Sequence, residues 1–468
     1  MLISYLLLFL IILYILLSWW KIDWAFLVII FILPAYLIRF NLFHIPFTFL
    51  EIIFLIYAYF WFFENYQKIF KNIKDKIQAL KEKKRTSFSS YPFSLPIILF
   101  ISSSFIALAV ANFSNSALGI YKAYFIEAVF LFIFSFNFLI KNGKEKIIFI
   151  LSLSSFFLSS IALWQKLNGL FWSGGGDRVS SIFPYPNALG LFLGPIIVLL
   201  YFYIMHQFKN KKIKIKSLDS LKIVFLVFSF FLSILAIYFA KSDGALIAVS
   251  SSLFFGSFFI NKKFAFTFSL IGLITLVFIF SQNNLKTYIL EKIQLKDFSG
   301  EVRKAQWKET YEMMTSSPRL FIFGTGLSNY QKEIKPFHQE GIFFNKDHDP
   351  DFRRKIVIFN DKYKAEHWRP VEIYMYPHNI LLNFWTELGL FGVFAFLYLI
   401  IQFFYFGVKL FLKNKNNIFV LGLIFLMIEI IIHGLVDVPY FKNDLSFLFW
   451  IFIALMGVER VLEDKKYE

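Results

Sequence analysis

The stretch MLISYLLLFLIILYILLSWW, residues 1–20, decides the fold class. It carries no charged side chain and is long enough to cross a hydrocarbon core of roughly 30 Å. It has no basic leading segment and no small-residue cleavage site, so it reads as a retained membrane helix, not a removed signal peptide. Comparable apolar runs begin near Leu2, Asp23, Pro46, Leu95, Lys122, Ile147, Ala188, Ile223, Ala245, Phe264, Ile380, Phe419 and Leu445. The break at Trp19–Trp24 is tight, and Pro34 interrupts the second run. Over 468 residues the chain is 58% hydrophobic, has a mean hydropathy of +0.63 and contains 67 Phe. A soluble domain could not cover that much apolar surface with polar groups. The reading is an all-α polytopic membrane protein of about 12–13 transmembrane helices with one large, mostly helical extracytoplasmic loop.

Charge sets the orientation. Lys68, Lys71, Lys74, Lys76, Lys81, Lys83, Lys84 and Arg85 crowd one connection, and Lys209, Lys211, Lys212, Lys214, Lys216 and Lys222 another. Smaller clusters are Lys141/Lys144/Lys146, Lys262/Lys263 and Lys413/Lys415. All fall on alternate connections, hence on one face, which is expected to be cytoplasmic. The opposite face receives residues 41–46, 112–121, 165–186, 241–243, 282–377 and 437–443. The net charge of +17 is accounted for by these short basic loops. No aromatic-plus-basic module accompanies it, so nucleic acid is not an expected partner. The chain has no Cys, which excludes disulfides and thiolate chemistry.

Residues 282–377 form the long polar stretch of the chain, with sixteen Lys/Arg against thirteen Asp/Glu. That balance suits a small folded subdomain between membrane blocks 1–281 and 378–468. Inside it, EVRKAQWKETYEMMTSS (301–317) has apolar residues at helical spacing, and Pro318 ends the run. PRLFIFGTGLSNY (318–330) reads as a tight turn inside the subdomain. The acidic cluster DHDPD (347–351) reads as a solvated turn, and no His/Cys set has zinc spacing, so no metal is expected.

Ionisable residues collect at the outer helix ends: Arg178, Lys241, Asp243, His378, His433 and Asp437. Such groups at membrane depth are costly unless paired or functional; alternatively, each is an interfacial side chain reaching for water. In GGGDRVSSIFPYPNALG (174–190), Asn187 stands where a helix begins and reads as an N-cap. Arg178 beside that helix start could hold a phosphate. In YPHNILLNFWTELGLFGVFAF (376–396), His378-Asn379 opens a helix that contains Glu387. A neutral imidazole there can accept a hydroxyl proton, or the pair simply caps the helix.

In order and type these residues resemble the O-antigen ligase and polymerase superfamily of bacterial membrane glycosyltransferases. The resemblance spans about residues 174–440 and runs through five features in order. They are Arg178 before Pro186-Asn187, Ser242–Ala245, Arg303 with Trp307, Phe323–Tyr330, and His378-Asn379 followed by Glu387–Gly392. It implies a glycosyltransferase-C-like membrane fold in the cytoplasmic (inner) membrane, with the large loop on the periplasmic or extracellular side. It also implies transfer of a glycan from an undecaprenyl-diphosphate carrier to a hydroxyl of a glycan, lipid or protein acceptor, with no metal or cofactor. By the same resemblance His378 is the general base, and Arg178 and Arg303 hold the donor diphosphate. One departure stands out. Where the family has Ser-Arg-Gly, this chain has Ser242-Asp243-Gly244, so Lys241 is the candidate cation there. Asn187, Asp243, Asn379, Glu387, His433 and Asp437 are supporting residues, with His433 and Asp437 expected to pair across a short loop.

Ligation of a finished polymer and polymerisation of lipid-linked repeats are both compatible with these residues. A polysaccharide or lipid transporter is the reading of another class. It would call for ionisable residues near the midplane and paired repeats with broken helices, whereas the charges here lie at the outer boundary.

Overall fold

The computed structural model describes residues 2–42, 45–81, 91–210, 218–358 and 360–466. His44 and the basic stretches 82–85 and 211–216 lie outside the described residues. The fold is all-α, 77% helical, with two small two-stranded antiparallel sheets. The chain opens with α1 (Leu2–Trp20) and α2 (Ile22–Phe31), which the 3-10 turn Leu33–Leu37 containing Pro34 terminates. The hairpin β1 (Arg39–Leu42) and β2 (Ile45–Thr48) leads into α3 (Phe49–Lys81). Then come α4 (Ser94–Val110), α5 (Asn115–Ile120), a π-turn (Tyr121–Ile126), α6 (Glu127–Asn142) and α7 (Glu145–Leu167). The central block is α8 (Pro186–Asn210), α9 (Leu218–Ala240), α10 (Asp243–Ser257) and α11 (Lys262–Ser281).

The polar stretch supplies α12 (Asn283–Ile293), α13 (Phe298–Thr315), α14 (Pro318–Phe323) and α15 (Tyr330–Glu333). It continues with β3 (Gly341–Phe343), α16 (Phe352–Val357), α17 (Asp361–His367) and β4 (Trp368–Pro370). The chain then forms α18 (Ile380–Lys413), α19 (Ile418–Gly434) and α20 (Asn443–Asp464). Each of the thirteen apolar runs therefore corresponds to a helix. Among the described residues seven helices are long and apolar enough to cross a membrane, and five more apolar helices are shorter, at 10–17 residues.

Contacts join several of the connections assigned to the same face. Of those assigned to the outer face, Lys122 pairs with Glu51 at 3.1 Å, the Tyr440 hydroxyl donates to the Tyr124 carbonyl at 2.6 Å, and Arg178 and Arg303 reach the carbonyls of Ala240 and Val436. Of those assigned to the lysine-rich face, Lys141 pairs with Asp23 at 2.9 Å and Lys144 with Glu459 at 2.5 Å.

α8 is enclosed by α7, α9, α10 and α19. Close approach there depends on glycine: a Cβ on Gly194 would collide with the Glu429 carboxylate of α19. The loop has a small core of its own, Met313, Met314, Leu320, Tyr330 and Ile334, and α13 forms where helical spacing predicts it. The acidic turn is engaged within the loop, where Lys355 and the Tyr363 hydroxyl both donate to Asp349 at 2.6 Å.

The segment 318–330 differs from expectation. Instead of turning inside the loop, it enters the bundle between α4 and α18. Thr325 N–H donates to the Thr386 carbonyl at 2.7 Å, Ser328 N–H to the Glu387 carboxylate at 2.7 Å, and Leu327 N–H to the Ala107 carbonyl at 3.4 Å. α18 kinks at Gly389 (φ 67°, ψ −167°) to admit the segment. A Cβ at Gly326 would stand 2.8 Å from the Ala111 nitrogen, and one at Gly389 would collide with the Ile322 carbonyl. An extended turn with its amides satisfied by the helices it meets is the way irregular backbone survives at this depth.

Gly389→Ala places a side chain in a backbone conformation that is essentially restricted to glycine, at about 1–3 kcal/mol, and adds the collision. The detergent-solubilised variant is expected to melt several degrees lower and to be cut faster by protease within 318–330. An unchanged melting temperature and digestion pattern would contradict this docking.

Candidate active site

Two tryptophan and arginine bonds from one helix fix the centre of the site. On α13, Trp307 Nε1 donates to the Pro377 carbonyl at 2.9 Å, and one turn earlier Arg303 Nε donates to the Val436 carbonyl at 2.9 Å. These carbonyls immediately precede His378 and Asp437. α13 therefore holds together two backbone segments that lie far apart in sequence. Asn379 secures the other side of His378: its Oδ1 accepts from the N–H groups of Leu381 (3.0 Å) and Leu382 (3.1 Å) as the N-cap of α18, and its Nδ2 donates to the Leu435 carbonyl. Between these anchors His378 takes a left-handed backbone conformation, φ 46°, a strained geometry of the kind that clusters at functional sites.

The His378 ring then stands edge-on to Tyr374 and Tyr376, each at 5.1 Å between centroids. Its Nδ1 lies 3.7 Å from Asp437 Oδ1, within reach of an ion pair but too long for a hydrogen bond. Asp437 is buried. Burial alone would raise its carboxyl, but His378, Lys442 and His433 outweigh that and hold it below the usual carboxylate range. An acidic partner of this kind can orient an imidazole.

These residues open into a cavity of about 520 Å³, in the size range of small-ligand sites. Trp172, Tyr185, Tyr374 and Tyr376 line it, with Arg178, Lys442 and Arg39 as its cations. Burial pushes the Tyr185 and Tyr376 phenols up, so both stay neutral. Arg178 and Asn187 are shared with an adjoining cleft of about 170 Å³ lined by Lys241, Asp243, Lys292, Asp297, Ser299 and Arg303. Arg178, Lys241, Asp243 and Lys292 also face a wider, about 700 Å³ opening beside Lys166 and Tyr288.

Arg178 is thus the common wall. Its Nε donates to the Ala240 carbonyl at 2.8 Å and its Nη2 to Asn187 Oδ1 at 2.6 Å. Lys241 Nζ donates to the Gly176 carbonyl at 2.7 Å, which draws the glycine-rich stretch over the cleft. The Asp243 puzzle resolves in three dimensions. Lys292, from α12, pairs with Asp243 at 2.6 Å and with Asp297 at 2.9 Å. Burial would lower the Lys292 ammonium, but these two carboxylates raise it overall. The carboxylate at 243 recruits a cation to the cleft from the loop.

The structure brings His378, Asp437, Arg178, Asn187, Arg303, Lys241 and Asp243 to these adjoining cavities. Three placements differ from the sequence reading. Asn187 is not an N-cap, because α8 begins at Pro186; it is the acceptor for Arg178. His433 does not pair with Asp437. It lies buried one turn below, with Nδ1 3.4 Å from Glu429. Glu387 holds the inserted 318–330 segment and lines none of these cavities. Sequence reading missed Lys292, Lys442, Arg39 and the tyrosine walls. Lys292 had a signal, an acidic residue where a cation belongs; Lys442 was hidden among ordinary interfacial lysines.

Residues 228–397 match the family model described as O-antigen ligase. This region is O-antigen ligase-like. The match covers Lys241, Asp243, Lys292, Arg303 and His378, while Arg178, Asp437 and Lys442 lie outside it. No curated protein matches the sequence. The family supports a membrane glycosyltransferase of the O-antigen ligase or polymerase type, and the ligase-like region holds both the candidate base and most of the cationic cleft.

Trp307→Phe keeps the ring in place but removes the bond to the Pro377 carbonyl. Glycosyl transfer is expected to fall about ten- to a hundredfold, as for a catalytic group displaced by an ångström, with thermal stability nearly unchanged. Full transfer activity would show that this bond does not position His378.

Proposed function

We propose that the protein transfers a glycan from an undecaprenyl-diphosphate carrier to an acceptor hydroxyl at the outer face of the cytoplasmic membrane, as an O-antigen ligase does. The observation that carries this reading is the placement of the His378–Asp437 pair in a cavity that shares Arg178 with a cationic cleft. The family match supports the reaction class, and the arrangement supplies what that reaction needs. The acceptor sits in the tyrosine-walled cavity with its hydroxyl at His378. The donor diphosphate lies in the cleft of Arg178, Arg303, Lys241 and Lys292. The acceptor oxygen attacks the anomeric carbon, and the bond from that carbon to the phosphate oxygen breaks. The hydroxyl proton passes to the imidazole, and undecaprenyl diphosphate leaves with the electron pair. With Nδ1 turned to Asp437, Nε2 is the nitrogen that accepts the proton.

Charge develops on the leaving diphosphate, so fixed cations aimed there stabilise the transition state more than the ground state. The loop 282–377 covers the site and contributes two of those cations. On this reading the lysine-rich connections are cytoplasmic, which places the loop and the site on the periplasmic or extracellular side.

The test is turnover of an undecaprenyl-diphosphate oligosaccharide by the protein in nanodiscs, in excess EDTA, with products resolved by gel and mass spectrometry. A glycosylated acceptor with release of the carrier diphosphate is expected. Chain growth without an acceptor would make the protein a polymerase instead. An intact donor under every acceptor, with divalent metal restored, would favour transport. His378→Ala is expected to lose about 10²–10⁴-fold in rate while still inserting into the membrane. Arg178→Ala and Arg303→Ala are expected to require more donor for half-maximal rate. A fully active His378→Ala protein would remove the general base from this account.

A further inference from the structure

The tyrosine-walled cavity holds more positive charge than the proposed chemistry uses. Its lining includes Arg39, Arg178 and Lys442 against one carboxylate, Asp437. Arg178 already has partners in the Ala240 carbonyl and Asn187 and is shared with the cleft. Lys442 and Arg39 remain.

Lys442 ends the turn between α19 and α20. Its Nζ is buried, lies 4.3 Å from the centroid of the Tyr185 ring, and has no hydrogen-bond partner among the described residues. Withdrawing an ammonium from water without a hydrogen bond is costly, and the cation–π contact offsets only part of that cost. Burial lowers the proton affinity of Lys442 overall, while Asp437 in the same turn and Asp444 of α20 oppose that and favour the charged form. Arg39 lines the same cavity from β1. A cation without a hydrogen bond, a second cation nearby and aromatic walls together describe a sugar site that also takes a negative charge.

We propose that Lys442 and Arg39 form a subsite for an anionic substituent, a carboxylate or a phosphate, on the acceptor glycan. The inference rests on the reading that this cavity takes the acceptor. The aromatic walls accept the apolar faces of the sugar ring, and Lys442 and Arg39 bind its charged group. His378 in the same cavity meets a hydroxyl. Acidic acceptors are then preferred to neutral ones of the same ring geometry.

Binding of small probes tests this without donor or turnover, so its result is independent of any transfer assay. Methyl β-glucuronide, glucose 6-phosphate and methyl β-glucoside would be titrated against the full chain in nanodiscs by saturation-transfer NMR. One or both charged probes are expected to bind at least about tenfold tighter than the glucoside, a difference of about 1.4 kcal/mol; the tighter of the two identifies the substituent. Lys442→Met is expected to abolish that preference. Arg39→Gln, at an exposed position that does not threaten folding, is expected to reduce it severalfold. Lys292→Met, in the cleft, is expected to leave it intact. Equal binding of charged and neutral probes, absence of binding by all three, or loss of the preference in Lys292→Met but not in Arg39→Gln would each overturn the proposal.

Discussion

The Arg178 guanidinium is the constraint on which the site depends. It sits in an irregular stretch, half-buried, with one nitrogen on the last carbonyl of α9 and another on Asn187 in the first turn of α8. Hydrogen bonds from a charged group contribute about 1.5–3 kcal/mol each, enough to hold a glycine-rich loop that has little packing of its own. Because both cavities share this side chain and its partner Asn187, a group bound at the cleft and a group bound at the tyrosine wall must meet beside them. Burial and the nearby Arg303 lower its proton affinity while Asp243 opposes them, yet a guanidinium remains charged throughout the physiological range. A cation that cannot be titrated away suits a site built around a phosphate.

The second organising element is α13. With two side chains one helical turn apart, it grips the carbonyls before His378 and before Asp437. The loop is therefore more than a cover, since α13 holds the backbone on which His378 and Asp437 stand. Docking in turn relies on the 318–330 segment, which is threaded between α4 and the kinked α18. Membrane helices, loop and site are joined through these contacts.

Much of this was legible in the sequence, for a physical reason. Hydropathy follows directly from the solvent a segment meets, so the helices and the polar loop could be read from composition. His378, Arg178 and Arg303 were legible because they stand in a recognisable order. What could not be read were pairings across hundreds of residues. Asp437 meets His378 and not His433, because the i,i+4 neighbour of His433 on α19 is Glu429. Asp243 looked hostile to a phosphate until α12 delivered Lys292 to it. Gly324, Gly326 and Gly389 looked like turn and helix glycines, and their purpose appears only where two backbones touch.

The claim at the centre of this account is that a diphosphate is bound against Arg178, within reach of His378. The most direct measurement is a cryo-EM structure of the protein in nanodiscs with undecaprenyl diphosphate bound. The account predicts phosphate density in the cleft between Arg178, Lys292 and Arg303, beside the cavity of His378. Phosphate density elsewhere, with that cleft closed by its own ion pairs, would contradict it.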